Sequence, residues 1–176
     1  MFFEELFNFS KLKGNIEFTK RGQIRIKLNS IKQDISPLCH FKKANIDTLN
    51  LANIPITDLS PLAHLQIREL DISNTLITSL EALRFSKISR INASGSQLNN
   101  LKGLMGLQFE SLNLSNCPLT DLDALRSITI AELNLSGSTA QPTSLSALAH
   151  IPKLTLPKAW KNLSPSLPSS ALVTWL

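Results

Sequence analysis

Ile46-Asp47-Thr48-Leu49-Asn50-Leu51 is an apolar residue, two polar ones, then an apolar-polar-apolar triplet. The phrase returns as Ile67-Arg68-Glu69-Leu70-Asp71-Ile72, and again from Ile88, Phe109 and Ile130, each start 21 residues after the last. Self-similarity at one fixed period marks a repeat architecture and takes precedence over any other reading of the chain.

Columns can be numbered from each phrase start. Columns one, four and six are apolar throughout. Column eleven holds Ile56, Ile77, Leu98 and Leu119; column fourteen Leu59, Leu80, Leu101 and Leu122; column seventeen Leu62, Leu83, Leu104 and Leu125. An apolar-polar-apolar triplet is a short strand with alternate residues inward. Leu at spacings of three suits 3₁₀ turns. Each repeat therefore predicts one strand and one tight convex return. A single rung cannot bury its apolar set, but stacked rungs share a continuous core. In the fifth repeat Gln141-Pro142 reads as a two-residue insertion, after which Leu145, Leu148 and Ile151 resume the spacing. The next strand is Leu154-Thr155-Leu156, with its register open by two residues.

On the N-terminal side, Phe2, Phe3, Leu6, Phe7 and Phe9 predict a short amphipathic helix over residues 2–9, covering the end of the core. Ile16 and Phe18 flank Glu17; Ile24, Ile26 and Leu28 alternate with Arg25 and Lys27; Gly22 lies in the intervening turn. That is a β-hairpin pattern. It runs into Asp34-Ile35-Ser36-Pro37-Leu38, which matches Asp58-Leu59-Ser60-Pro61-Leu62. The second hairpin strand thus reads as a divergent first rung. At the other end Pro157, Pro165 and Pro168 predict an irregular cap, with Trp160 and Trp175 over the last rung. The expected organisation is an N-terminal cap over 1–45, an array over 46–156 and a C-terminal cap over 157–176.

The net charge of +5 is unevenly placed. Residues 1–45 hold nine Lys and Arg against four acids, whereas the rest of the chain is balanced. A basic patch of Lys20, Arg21, Arg25 and Lys27 is therefore a candidate site for nucleic acid or an acidic partner. No aromatic stacking platform accompanies it, which makes nucleic acid the weaker candidate. Cys39 and Cys117 fall on different rungs, so no disulfide is expected, and unpaired thiols fit a reducing compartment. Met1 to Phe9 carries acids where a signal peptide needs bases, and no run approaches the roughly 20 apolar residues of a membrane span. A cytoplasmic protein with no membrane partner is expected.

At the stretch Ile67 to Ile77, IRELDISNTLI, the chain resembles the leucine-rich repeat family, whose phrase is L-x-x-L-x-L followed by a polar column and Ile or Leu. The return segment Asp58-Leu59-Ser60-Pro61-Leu62 is similar to short bacterial repeats of 21–22 residues, those of internalin-like proteins and of planctomycete-type "DLSPL" arrays. The resemblance covers residues 24–156. It implies an α/β-type leucine-rich repeat solenoid, with a curved parallel sheet on the concave side, 3₁₀ or irregular turns on the convex side, and the N-terminal helix and hairpin as a cap. The family's usual ninth-column Asn is replaced by Ile54, Thr75, Ser96, Cys117 and Ser138. Hydroxyls and a thiol are expected to bond loop backbone there instead.

The resemblance also implies a binding or scaffold role on the concave sheet. The outward columns two, three and five give mixed charge and amides, with Arg68, Glu69, Asp71, Arg90, Asn92, Glu110 and Asn113 as the candidate partner-binding residues. Asp71 is expected to lie between Arg68 and Arg90. The column Asn50, Asp71, Asn92, Asn113, Asn134 reads as a stacked hydrogen-bonding ladder. His40, His64 and His150 repeat with the local phrase Leu-x-His and form no convergent metal set. No Ser/His/Asp arrangement or phosphate-cradling loop is present. The expectation is a non-catalytic module without cofactor or metal, binding a protein partner, monomeric or weakly dimeric through an end cap.

Overall fold

The computed structural model describes residues 14–19, 22–29, 34–142 and 145–176. The helix expected over 2–9 lies outside them, as do Lys20 and Arg21. Among the described residues nine strands form a single open sheet in chain order: β1 (Gly14–Phe18), β2 (Ile24–Leu28), β3 (Asn45–Asn50), β4 (Gln66–Asp71), β5 (Lys87–Asn92), β6 (Gln108–Asn113), β7 (Thr129–Asn134), β8 (Lys153–Leu156) and β9 (Leu172–Trp175). Only β1 and β2 are antiparallel, joined through a turn at Gly22, whose φ is 73°. From β2 onward each strand is parallel to the next. Sequential parallel neighbours need a crossover in every connection, and here 3₁₀ segments such as Ser60–Leu62, Glu81–Phe85 and Asp123–Ser127 supply it.

The phrase explains the strands in detail. Columns one and four both face the core, although three residues apart, so strict alternation must break between them. It breaks at column two: Asp47, Arg68, Ser89, Glu110 and Ala131 have no partner in the ladder register. An extra residue of this kind lets two apolar side chains an odd number apart point the same way. In β2 the extra residue is missing, so Ile24 pairs with Ile46 but Arg25 with Thr48. Its Ile-Arg-Ile-Lys-Leu alternates cleanly between buried and exposed.

The turn that leaves each strand is set by column eight. Asn53, Asn74, Gly95, Asn116 and Gly137 all have positive φ, between 54° and 67°. That left-handed region is closed to most side chains but open to Gly and tolerated by Asn. This backbone demand accounts for Asn standing one place before the usual column. Column nine behaves as expected: Thr75 Oγ1 donates to the Ile72 carbonyl at 2.8 Å, and Cys117 Sγ to the Ala93 carbonyl at 3.1 Å. Ser96 and Cys117 touch each other at 3.5 Å, and burial pushes the Cys117 thiol up from its ordinary pKa. The 3₁₀ returns start on an acid two residues earlier, whose carboxylate accepts a backbone N–H: Ser36 to Asp34, Ser60 to Asp58 and Asp123 to Asp121, at 2.7–2.8 Å. The Asp of the "DLSPL" phrase is therefore a turn cap.

The inward columns form one core from Ile24 to Trp160, and most members are under 3% exposed. Each such Leu or Ile contributes roughly 1.5–3 kcal/mol by burial, but only against a neighbouring rung. The Gln141-Pro142 insertion leaves the register intact, with Leu133 pairing Leu154 and Asn134 pairing Thr155. Ile151 closes the preceding turn by donating its N–H to Leu148, and β8 is four residues long where β3 to β7 have six. Two residues gained in the return are lost from the strand. The final stretch differs from the irregular cap expected. Residues Lys158–Ser166 form a 3₁₀ segment, and Leu172–Trp175 adds a ninth strand, parallel to β8 and in register with it. Trp160 is buried and Trp175 packs against the same core.

Candidate functional site

The exposed face of the sheet carries two parallel rows of polar side chains. The first row is charged and continuous across five strands. Arg25 Nε on β2 meets Asp47 Oδ2 at 2.9 Å, and Arg68 Nε on β4 meets Asp47 Oδ1 at 2.7 Å. Arg68 Nη1 and Arg90 Nη1 share Glu69 Oε1 at 2.7 and 3.1 Å, and Arg90 Nε meets Glu110 Oε2 at 2.9 Å. Charges thus alternate from β2 to β6. A separate pair, Lys153 to Glu132 at 2.8 Å, joins β8 to β7.

Asp47 departs from the expectation that column two is open to solvent, being 3% exposed. It lies near the surface yet is sealed beneath two guanidinium groups. Hydrogen bonds from Arg68 and then Arg25 hold its carboxyl below the usual Asp range and outweigh the opposing effect of burial. It ties β2 and β4 together across β3, so Arg25 belongs to this clasp rather than to a free basic patch. Lys27 is exposed, and Glu17 stands opposite Arg25 in the hairpin register.

The second row is the column Asn50, Asp71, Asn92, Asn113, Asn134. Each side-chain oxygen accepts the backbone N–H two residues on, from Ala52, Ser73, Ser94, Ser115 and Ser136, at 2.9–3.3 Å. Asn113 donates to Asn92 at 3.0 Å, and Asn92 to Asp71 at 3.2 Å. Rung-to-rung side-chain bonds run over three of the five members, Asp71 to Asn113, and all five fasten their strand ends. The ladder's neighbours differ from expectation: Asp71 binds Ser73 and Asn92, not Arg68 or Arg90. Arginine already bridges two carboxylates on the neighbouring columns, which leaves it no reason to turn towards a third.

Of the expected partner-binding residues, Arg68, Glu69, Arg90 and Glu110 therefore join in the first row, and Asp71, Asn92 and Asn113 in the second. Two shallow depressions flank the rows. One of about 410 Å³ has Arg25, Lys27, Arg68 and Glu69 among its walls; one of about 340 Å³ has Glu69, Asp71, Arg90 and Asn113. They share Thr48, Asn50 and Glu69 as common floor.

A third depression of about 490 Å³ lies at the strand starts. Among its lining residues are Gln23, Asn45, Gln66, Lys87 and Gln108, the position immediately before the phrase on five successive rungs. Counting columns from the phrase start passes over this position, although its polarity at every rung is legible. Elsewhere, His64 has a left-handed φ of 68° and stacks on the exposed Phe85 at 5.5 Å between ring centres. His150 Nε2 lies 2.8 Å from the Ile128 carbonyl. Among the described residues no helix is long and apolar enough to cross a membrane.

No protein-family model matches the chain, and no curated protein matches its sequence. Among solved structures, the functional domain of InlJ from Listeria monocytogenes, which includes a cysteine ladder, superposes with a TM-score of 0.51 at 17% identity. The match covers 74% of this chain and 30% of that one. The fold is leucine-rich-repeat-like. At this identity the likeness carries the fold alone. The chain spans less than a third of the InlJ domain's length. Within its own leucine-rich-repeat-like array, Cys117 is the single cysteine of column nine.

Proposed function

We propose that this chain is a non-catalytic leucine-rich-repeat-like module of the short 21-residue bacterial type that binds a protein partner on its sheet face. In this reading residues 46–156 are the array and 1–45 and 157–176 its ends. The sheet lines the concave side of the solenoid and the 3₁₀ turns its convex side. The observation that carries the reading is the alternating Arg–acid row from Arg25 to Glu110, whose arginines lie exposed on one face flanked by two depressions. Paired charges on a surface add little to stability. Set in a fixed mosaic, they discriminate between partners through complementary charge. The alternative, a basic N-terminal surface for nucleic acid or an acidic partner, is weakened because Arg25 is already held by Asp47.

The test is site-directed photo-crosslinking from Ser111, between the rows, and from Met105, in a 3₁₀ return. The partner recovered from Ser111 is then purified and its affinity measured. Reversing Arg90 and Glu110 together (Arg90→Glu with Glu110→Lys) should weaken it about tenfold while leaving the fold intact, both side chains being at least half exposed. Crosslinking from Met105 alone, or unchanged affinity, would rule the sheet face out.

A further inference from the structure

A further row of polar side chains lies at the strand starts. Gln23, Asn45, Gln66, Lys87 and Gln108 precede the first apolar residue of β2 to β6. In the ladder register Asn45 stands beside Gln66 and Gln66 beside Lys87. Gln23 precedes Ile24, whose partner is Ile46, so it stands beside Asn45. Four of the five are exposed and Gln23 is half-buried. Their side-chain amides make no hydrogen bond among the described residues, and Lys87 makes no ion pair there. This sets the row apart from the Asn50 column, where every side-chain oxygen is occupied by backbone.

Among the described residues that line the groove none is acidic or aromatic, and the two charged ones, Lys87 and Arg68, are cations. Nε and Nη1 of Arg68 are already committed to Asp47 and Glu69, which leaves Lys87 as the uncommitted charge. The complement of this lining is a ligand whose groups both donate to and accept from amides and that carries negative charge to Lys87. Without an aromatic platform, nucleobases have nothing to stack on. The main chain of an extended peptide fits, because each peptide unit offers an acceptor and each non-proline unit a donor as well.

The spacing narrows this further. The three glutamines occupy alternate rungs: Gln23 before β2, Gln66 before β4 and Gln108 before β6. Paired neighbouring strands lie about 4.8 Å apart, so Gln23 and Gln66, two paired rungs apart, repeat at about 9.6 Å, whereas β5 and β6 pair only from Arg90 and Ser111 onward, which leaves Gln108 beyond Lys87 outside the ladder. A polyproline II segment has three residues per turn at about 3.1 Å each, a repeat of about 9.3 Å, and its backbone groups make no internal hydrogen bonds. Residues three apart in such a peptide meet Gln23 and Gln66, with Lys87 one rung further and Gln108 beyond it. We propose that this groove binds an acidic, polyproline-type extended segment of a protein partner. Gln23, Gln66 and Gln108 hydrogen-bond its main chain, and Lys87 pairs with one carboxylate. The inference shares with the proposed function only the premise that the chain binds protein, and it uses a different surface.

The probe is a fluorescein-labelled (Glu-Ala-Pro)₄ peptide, with (Lys-Ala-Pro)₄ and a uronic-acid tetramer as comparisons. Affinity is read by anisotropy and the contact by the side-chain NH₂ resonances of the isotope-labelled full chain. The acidic peptide should bind saturably and shift the Gln66 and Gln108 resonances while leaving those of Asn92 and Asn113 in place. Lys87→Glu should weaken it about tenfold, and Gln66→Ala with Gln108→Ala roughly fivefold. All three side chains are exposed, so these variants fold. Arg90→Glu should change this affinity less than about twofold, which separates the groove from the sheet face. Equal binding of the basic peptide, absence of saturable binding, or indifference to Lys87→Glu would overturn the inference. So would a uronic-acid tetramer that shifts these resonances when the peptide does not. None of these results bears on a partner lost through Arg90→Glu.

Discussion

The same strands carry a row of carboxamides at each end, and the two rows do opposite things. At the strand ends Asn92 and Asn113 accept backbone N–H groups and bond to neighbouring rungs. At the strand starts Gln66 and Gln108 face solvent without a hydrogen bond among the described residues. The chemical group is nearly the same; the geometry of the adjoining backbone differs. A strand that ends in a left-handed turn leaves N–H groups that a short Asn reaches two residues away. A strand that begins straight out of a 3₁₀ return has its N–H groups already paired, as Lys87 N–H is to Leu65 and Thr129 N–H to Leu107. An amide there has no structural task and is available to a ligand.

The comparison can be broken by substitution. The largest effect is expected from Asn113→Ala, which removes the acceptor for the Ser115 N–H and the donor to Asn92. Ser115 is only 7% exposed, so the loss should cost about 2 kcal/mol, read from the urea midpoint. A cost as small as that of a surface substitution would show that water replaces the ladder. Next comes Asn116→Ala at column eight, where φ is 56°; a Cβ without a compensating polar group should cost about 1 kcal/mol, and Asn116→Gly close to nothing.

Asp47 supplies a third, pH-dependent contrast. Asp47→Asn should cost about 1 kcal/mol at neutral pH, since two charge-assisted hydrogen bonds are weakened on half-exposed arginines. The folded carboxyl titrates below its ordinary value of 3.8. The stability it contributes is therefore fully present above that value and is lost as pH falls through the folded pKa. The gap between wild type and Asp47→Asn should close on acidification below about pH 4. A gap that persists there would mean that Asp47 does not act through its charge. The smallest effect is expected for Gln66→Ala and Gln108→Ala, within about 0.5 kcal/mol of wild type. A larger loss would assign the strand-start row a structural role and remove the contrast.

Much of this was legible in the repeat. Leu at columns fourteen and seventeen placed the 3₁₀ returns, and the Ile24-Arg25-Ile26 alternation placed the hairpin. The Asn50 column was legible as a ladder because five rungs repeat it with one conservative change, Asp71. The partners of the charged residues were not. Whether Arg68 turns to Asp47 or to Asp71 depends on the break in alternation at column two, which sets Asp47 between Arg25 and Arg68 so that their guanidinium groups cover it. Pattern alone places columns two and three on the same surface. The ninth strand was hidden because Pro165 and Pro168 sit in its connection and its register is 19 residues from β8, outside the 21-residue count.

By itself the sequence determined the solenoid. Burial of columns one, four, six, eleven, fourteen and seventeen is collective, and a 21-residue period leaves only stacking as a way to achieve it. The tertiary structure decided which polar residues are spent on the fold and which are left over. Hydrogen bonds and ion pairs are short-range and directional, so their partners follow from the backbone path at each turn and not from residue type.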